Sequence, residues 1–167
     1  MTDPGSSWTS ALGAGVALFL GWGVFNVVIG VVATIIFGAS SGLVANFLVL
    51  SPRTDAAMFG GDARDLVREF PALFALQRLL LSWLSALLVA FGLLVIAVTW
   101  FGLRRGEPWA LAVLAACWLV TLVGFGLLFR RYIDAGVSLT LGDLPPLFHY
   151  AAFLVTPAIL LSWIGLR

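Results

Sequence analysis

From Gly5 to Ser51 the chain carries no ionisable side chain, and three more uncharged apolar runs follow at 79–103, 109–129 and 150–166. A helix needs about 20 apolar residues to cross the roughly 30 Å hydrocarbon core of a bilayer, and lipid offers an unpaired backbone no water to bond. Runs of this length therefore restrict the chain to membrane-spanning helices. Hydrophobic residues make up 62% of the sequence and charged ones 10%, against about 25% charged in a soluble domain, which excludes a water-soluble fold.

The expected fold is all-α: a polytopic membrane protein with four transmembrane helices in an antiparallel bundle. A single transmembrane domain fills residues 1–167, with spans at approximately 11–37, 72–101, 109–129 and 146–166. The segment before the first span holds Asp3 and no basic residue, unlike the positive leader of a signal peptide, so the first span is expected to be retained. Residues 43–50 are apolar but too short to cross. They read as re-entrant, interfacial or a continuation of the first helix, closed by Ser51 and Pro52.

The first loop is the only watery segment of any size. Within it Asp62 is placed to cap a short amphipathic helix with Leu66, Val67 and Phe70 on its apolar side, and Pro71 suits the first turn of the second span. Asp143 is read as a cap for the fourth helix, and Pro157 as a kink within it. All nine basic residues are arginines. If Arg78, near the start of the second span, is counted, six of the nine (Arg53, Arg64, Arg68, Arg78, Arg130, Arg131) go with loops one and three, which is expected to place those loops in the cytoplasm by the positive-inside rule. The expected location is a bacterial cytoplasmic membrane.

Without a hydrophobic drive between helices in lipid, association depends on close packing, and small side chains permit it. The first span carries two stripes at helical spacing, Gly13, Ala17 and Gly21, then Gly23, Asn26, Gly30 and Thr34. These are candidates for helix packing or a partner interface. The other spans carry Ser82, Ser85 and Gly92; Cys117, Thr121 and Gly124; and His149, Ala152 and Thr156. If these stripes converge, they make a narrow, mildly polar slot for a lipid, quinone or sterol-like compound; the competing reading is that each hydroxyl bonds its own helix carbonyl.

Gln77 and Arg78 form the most suggestive polar pair, because a cation near a helix N-terminus calls for snorkelling or an anion. Asp55, Asp65, Glu69 and a lipid headgroup are the candidate anions. Trp22, Trp83 and Trp118 lie deep enough to stack on a ligand, whereas Trp8, Trp100, Trp109 and Trp163 fall at span ends as an aromatic belt. His149, the sole histidine, reads as an interfacial hydrogen-bonding group, with ligation of a pigment or heme a remote alternative. No cofactor is otherwise expected. Cys117 is the only cysteine, so no internal disulfide forms.

No Asp, Glu or Lys stands mid-span, as ion coupling or a proton relay would require, and no metal, phosphate-loop or nucleophile signature occurs. Catalysis is not expected, and the net charge of +1 gives no field to gather nucleic acid.

The hairpin Gly102-Leu-Arg-Arg-Gly-Glu-Pro-Trp-Ala110, between two spans of a four-span chain with a long first loop, resembles that of small bacterial DoxX-like membrane proteins. The resemblance covers the hairpin and the layout. It implies a four-helix membrane bundle and supplies no site residue. Two roles are then expected: a non-catalytic membrane subunit packing against and stabilising a larger assembly, or a free-standing bundle binding a lipid or other small apolar ligand. Membrane lipids, other membrane subunits or a second copy are the corresponding partners.

Overall fold

A computed structural model describes residues 8–39 and 48–167, and among them the secondary structure is helical throughout. In chain order the helices are α1 (Ala11–Ala39), α2 (Pro52–Phe59), α3 (Ala63–Glu69), α4 (Pro71–Phe101), α5 (Pro108–Asp134) and α6 (Pro146–Gly165). α1, α4, α5 and α6 are long and apolar enough to cross a membrane, as expected of a polytopic all-α bundle. Most of the apolar segment at 43–50 lies outside the described residues.

Local chemistry sets the helix ends. The Ser10 hydroxyl caps α1 by accepting from Gly13 N at 3.0 Å. Pro52, read as closing an apolar segment, instead occupies the first turn of α2, with Ser51 as its N-cap. Asp62 caps α3 as expected, accepting from Arg64 N at 2.8 Å, and Pro71 opens α4. α5 runs five residues beyond the expected 129, its last turn carrying an Arg130–Asp134 ion pair at 3.6 Å. Pro157 stands inside α6 without ending it.

α1 is the central helix, packed closely along α4 and α6, whereas α5 approaches the bundle more loosely. Missing side chains make this possible. A Cβ on Gly23 would come within 3.0 Å of Gly92 O, and one on Gly92 within 2.6 Å of Gly23 O, so α1 and α4 meet backbone to backbone. A Cβ on Gly30 would lie 2.7 Å from Ser85 O. On the α6 side, one on Gly15 would fall 2.9 Å from Ser162 N, and one on Gly165 2.4 Å from Leu12 N. Val16, Phe19, Trp22, Val95, Leu114 and Val155 fill the remaining core.

Neither expected stripe of α1 keeps to one environment, and Thr34 of the second is exposed. Gly13, Gly23, Asn26 and Gly30 are buried in the bundle, while Ala17 and Gly21 are exposed. No described atom lies within 4 Å of a Cβ built on Gly21. Gly15, part of neither expected stripe, lies directly against Ser162 of α6.

α5 is held by other means. At the hairpin, Gly102 packs so closely that a Cβ would come 2.7 Å from Ala110 Cβ. Further along, Phe148 of α6 sits among Phe125, Phe129 and Trp118 of α5 at centroid distances of 5.1, 5.9 and 6.4 Å.

Gly23→Leu is expected to destabilise the detergent-solubilised bundle by about 1–3 kcal/mol, since its neighbour across the contact is backbone and cannot rotate away. Gly21→Leu is expected to leave stability unchanged within ~0.5 kcal/mol. Equilibrium unfolding in mixed micelles reads both.

Candidate functional site

The loose fit of α5 leaves a lateral groove of about 570 Å³ between it and α4. Leu84, Leu87, Phe91 and Leu94 form the α4 wall, Thr121 and Phe125 the α5 wall, and Trp22 with Asn26 of α1 the floor. Trp22 meets Phe91 edge to face at 5.2 Å and Trp118 at 6.4 Å, which fixes the floor rigidly.

Asn26 is the polar element of this apolar surface. Its side chain is only 3% exposed, and Nδ2 donates to Trp22 O at 2.8 Å. The amide oxygen is thereby left as an acceptor beside the groove. Thr121 Oγ1 donates to Cys117 O at 2.9 Å and keeps its lone pairs for an incoming donor. Asn26 lies near the midpoint of α1, so any group that reaches it sits deep in the bilayer.

A second polar cluster organises the end of the bundle formed by loops one and three. The buried Asp55 carboxylate accepts from the backbone N–H groups of Leu48, Val49 and Leu50 at 2.6, 2.9 and 3.2 Å. It also accepts from the Tyr132 hydroxyl at 2.7 Å. Four donors, plus its place in the first turn of α2, compensate the charge without a cation. Gln77 Nε2 donates to Leu48 O at 3.3 Å. Residues 48–50 therefore link α4, through Gln77, to α5, through Asp55 and Tyr132.

Arg53 of α2 donates from both Nε and Nη2 to the Asp143 carboxylate of loop three. Asp143 also accepts from the Ser51 and Thr140 hydroxyls and from Thr140 N. This corrects its expected role. Asp143 does not cap α6, whose N-cap is Pro145 without a side-chain bond; it closes a short 3-10 turn, Leu141–Asp143, and clamps the two loops together. The guanidinium and hydroxyl donors hold its carboxyl well below the usual carboxylate range, and the Asp143 carboxylate raises Arg53.

Asp55, an expected candidate anion for Arg78, is instead bonded by backbone and tyrosine. The Arg78 guanidinium lies 5.8 Å from the centroid of the Phe74 ring. Trp118 is core, packed on Trp22 and Phe148, and Trp83 is 66% exposed on the outside of α4. His149 Nδ1 stands 3.3 Å from Pro145 O, one turn back on its own helix. Gln77, Arg78, His149, Trp83 and Trp118 are thus dispersed, and none lines the α4/α5 groove.

Ser85 and Thr34 bond their own helix carbonyls at 2.7 and 2.8 Å, like Thr121, which is the competing reading of these hydroxyls. Ser85 and Gly92 face α1, whereas nothing described lies within 4 Å of a Cβ on Gly124. Of the three deep tryptophans expected to stack on a ligand, only Trp22 lines the groove; Asn26, expected only as a packing residue, joins it there.

Comparison with protein-family models, with curated proteins and with solved structures finds no match to this chain.

Because the folded-state pKa of Asp143 is depressed, its clamp contributes fully above the unfolded carboxylate value of about 3.9 and fades as pH falls below it. Asp143→Asn is expected to lower Tm at pH 7. The gap to the parent should stay constant down to about pH 4 and narrow from there toward pH 2. Thermal unfolding in a non-ionic detergent across that range checks the sign.

Proposed function

We propose that this membrane bundle binds a neutral, largely apolar molecule in the α4/α5 groove. The observation that carries the reading is Asn26, a nearly fully buried amide at the floor of an otherwise apolar cleft. A cleft of this volume falls in the range of small-molecule sites, which are mostly apolar with a few placed polar groups. The depth of Asn26 selects against a charged headgroup, whose transfer to mid-bilayer is costly, and favours a ring ketone, hydroxyl or ester within an apolar skeleton. An isoprenoid quinone or a sterol-like alcohol has that chemistry.

A second reading, a subunit that packs against a larger assembly or a second copy, is favoured by the outer face of α1. Ala17, Gly21, Val24, Val28, Val31 and Ile35 are all exposed and recur at alternating steps of four and three. That is the spacing of a left-handed helix-packing seam, with small and β-branched side chains that allow close approach. The DoxX-like hairpin fits either role. We place the protein in a bacterial cytoplasmic membrane with loops one and three on the cytoplasmic side, a reading supported by Arg53, Arg64, Arg68, Arg130 and Arg131 at that end.

The experiment is titration of the purified chain in mixed micelles with a short-chain isoprenoid quinone, read by tryptophan quenching. Saturable quenching is expected. Ala90→Trp, which fills the groove from an exposed position on its α4 wall, should abolish it. Asn26→Leu should weaken it about three- to tenfold, the worth of one hydrogen bond in lipid. Non-saturable quenching, or identical curves for the parent and Ala90→Trp, would refute the groove. A larger native complex that Gly21→Leu dissolves would favour the subunit reading.

A further inference from the structure

The two ends of the bundle differ in a way that the groove does not explain. Trp8, Trp100, Trp109 and Trp163 all fall at the end that holds the α4–α5 hairpin and the outer turns of α1 and α6. The other end carries arginines balanced by Asp55, Asp62, Asp65, Glu69, Asp134 and Asp143. At the hairpin end, Arg104, Arg105 and Arg167 face one acid among the described residues, Glu107.

Two of these arginines are positioned by aromatic rings. The Arg104 guanidinium lies 4.2 Å from the Trp100 centroid and 5.6 Å from that of Trp8, and Arg167 lies 4.8 Å from Trp163. A guanidinium stacked on a ring keeps its N–H edge available for a planar or tetrahedral oxyanion.

Below Arg167 a separate groove of about 380 Å³ runs between α5 and α6. Leu111, Ala112 and Ala115 form one side, Ile159, Leu160 and Trp163 the other, with Arg167 at the mouth. The hairpin reaches the same rim: a Cβ on Gly106 would lie 4.0 Å from Leu166 Cδ2, one residue along from Arg105.

The geometry points to a binding site for an anionic phospholipid, with one acyl chain in the α5/α6 groove and the phosphate at Arg167. Charge decides between lipids. A zwitterionic headgroup brings its own cation to a surface already in cationic excess, whereas an anionic glycerophospholipid supplies the missing counter-charge. The aromatic belt sets the depth, since tryptophan rings rest at the headgroup level and hold the arginines there. The site is independent of the α4/α5 groove, which opens on another face and takes a neutral ligand.

The test is native mass spectrometry of the full chain, delipidated and then offered equimolar phosphatidylglycerol and phosphatidylcholine with identical acyl chains. Retention of phosphatidylglycerol adducts over phosphatidylcholine is expected. Arg167→Gln should reduce that preference about fivefold, the worth of one basic residue at an anionic surface. Ala112→Trp, introduced at an exposed groove position, should reduce retention of both lipids. Excess glycerol phosphate should not compete, because it lacks the chain. Equal retention of the two lipids, an unchanged preference in Arg167→Gln, or displacement by glycerol phosphate would overturn the proposal. Quinone quenching should persist in Arg167→Gln, so a failure here is separable from a failure of the α4/α5 groove.

Discussion

Backbone contact between α1 and its two neighbours is the constraint from which the rest of the bundle follows. In lipid, leucine gains little by leaving hydrocarbon for another helix, and association relies on dispersion at short range. Gly23 against Gly92 and Gly15 against Ser162 bring α1 onto α4 and α6 at separations that any side chain would forbid. Once α1 has used its glycine-lined faces in this way, α5 has no comparable surface to dock on. It leans on α6 through aromatic rings and touches α4 chiefly at the hairpin, and the α4/α5 groove is the space left over.

A space of that kind stays open only if α5 cannot slide into it. At one end the short hairpin tethers α5 to α4. At the other, residues 48–50 bond to Gln77 on α4 and, through Asp55, to Tyr132 on α5. A buried carboxylate is a demanding strut. It must be supplied with donors or it costs several kcal/mol, and here three consecutive backbone amides and a phenol supply them. The Arg53–Asp143 clamp then joins loop one to loop three, so the groove is bounded by a closed turn below and a polar knot above.

The spans were legible because hydrocarbon thickness is a length, and length can be read from an uncharged run. The inner stripe of Gly23, Asn26 and Gly30 was legible because spacing alone puts those residues on one face. What spacing cannot say is which neighbour a face meets, so Ala17 and Gly21 looked equivalent to the inner stripe and lie outside it. Asp143 was misread for a related reason. A carboxylate before a helix satisfies the local capping rule, yet an arginine ninety residues away and a threonine three residues back offer it stronger donors. The groove was illegible because it is an absence of packing between α4 and α5, and an absence leaves no mark in either helix alone.

Depth sorts the polar groups by the ligand each can serve. Asn26 and Thr121 sit where a formal charge is costly, so they can only reward a neutral dipole, and the apolar walls around them reject anything with a bulky hydrated head. Arg104 and Arg167 sit where water and phosphate already mix, and stacking on tryptophan keeps them there instead of letting them extend freely into solvent. The two proposed sites thereby differ in chemistry as well as in depth, and neither proposal calls on a catalytic group. Glu107 apart, the acids of the described residues gather at the other end. Around Arg53 and Tyr132 these acids tie the loops together.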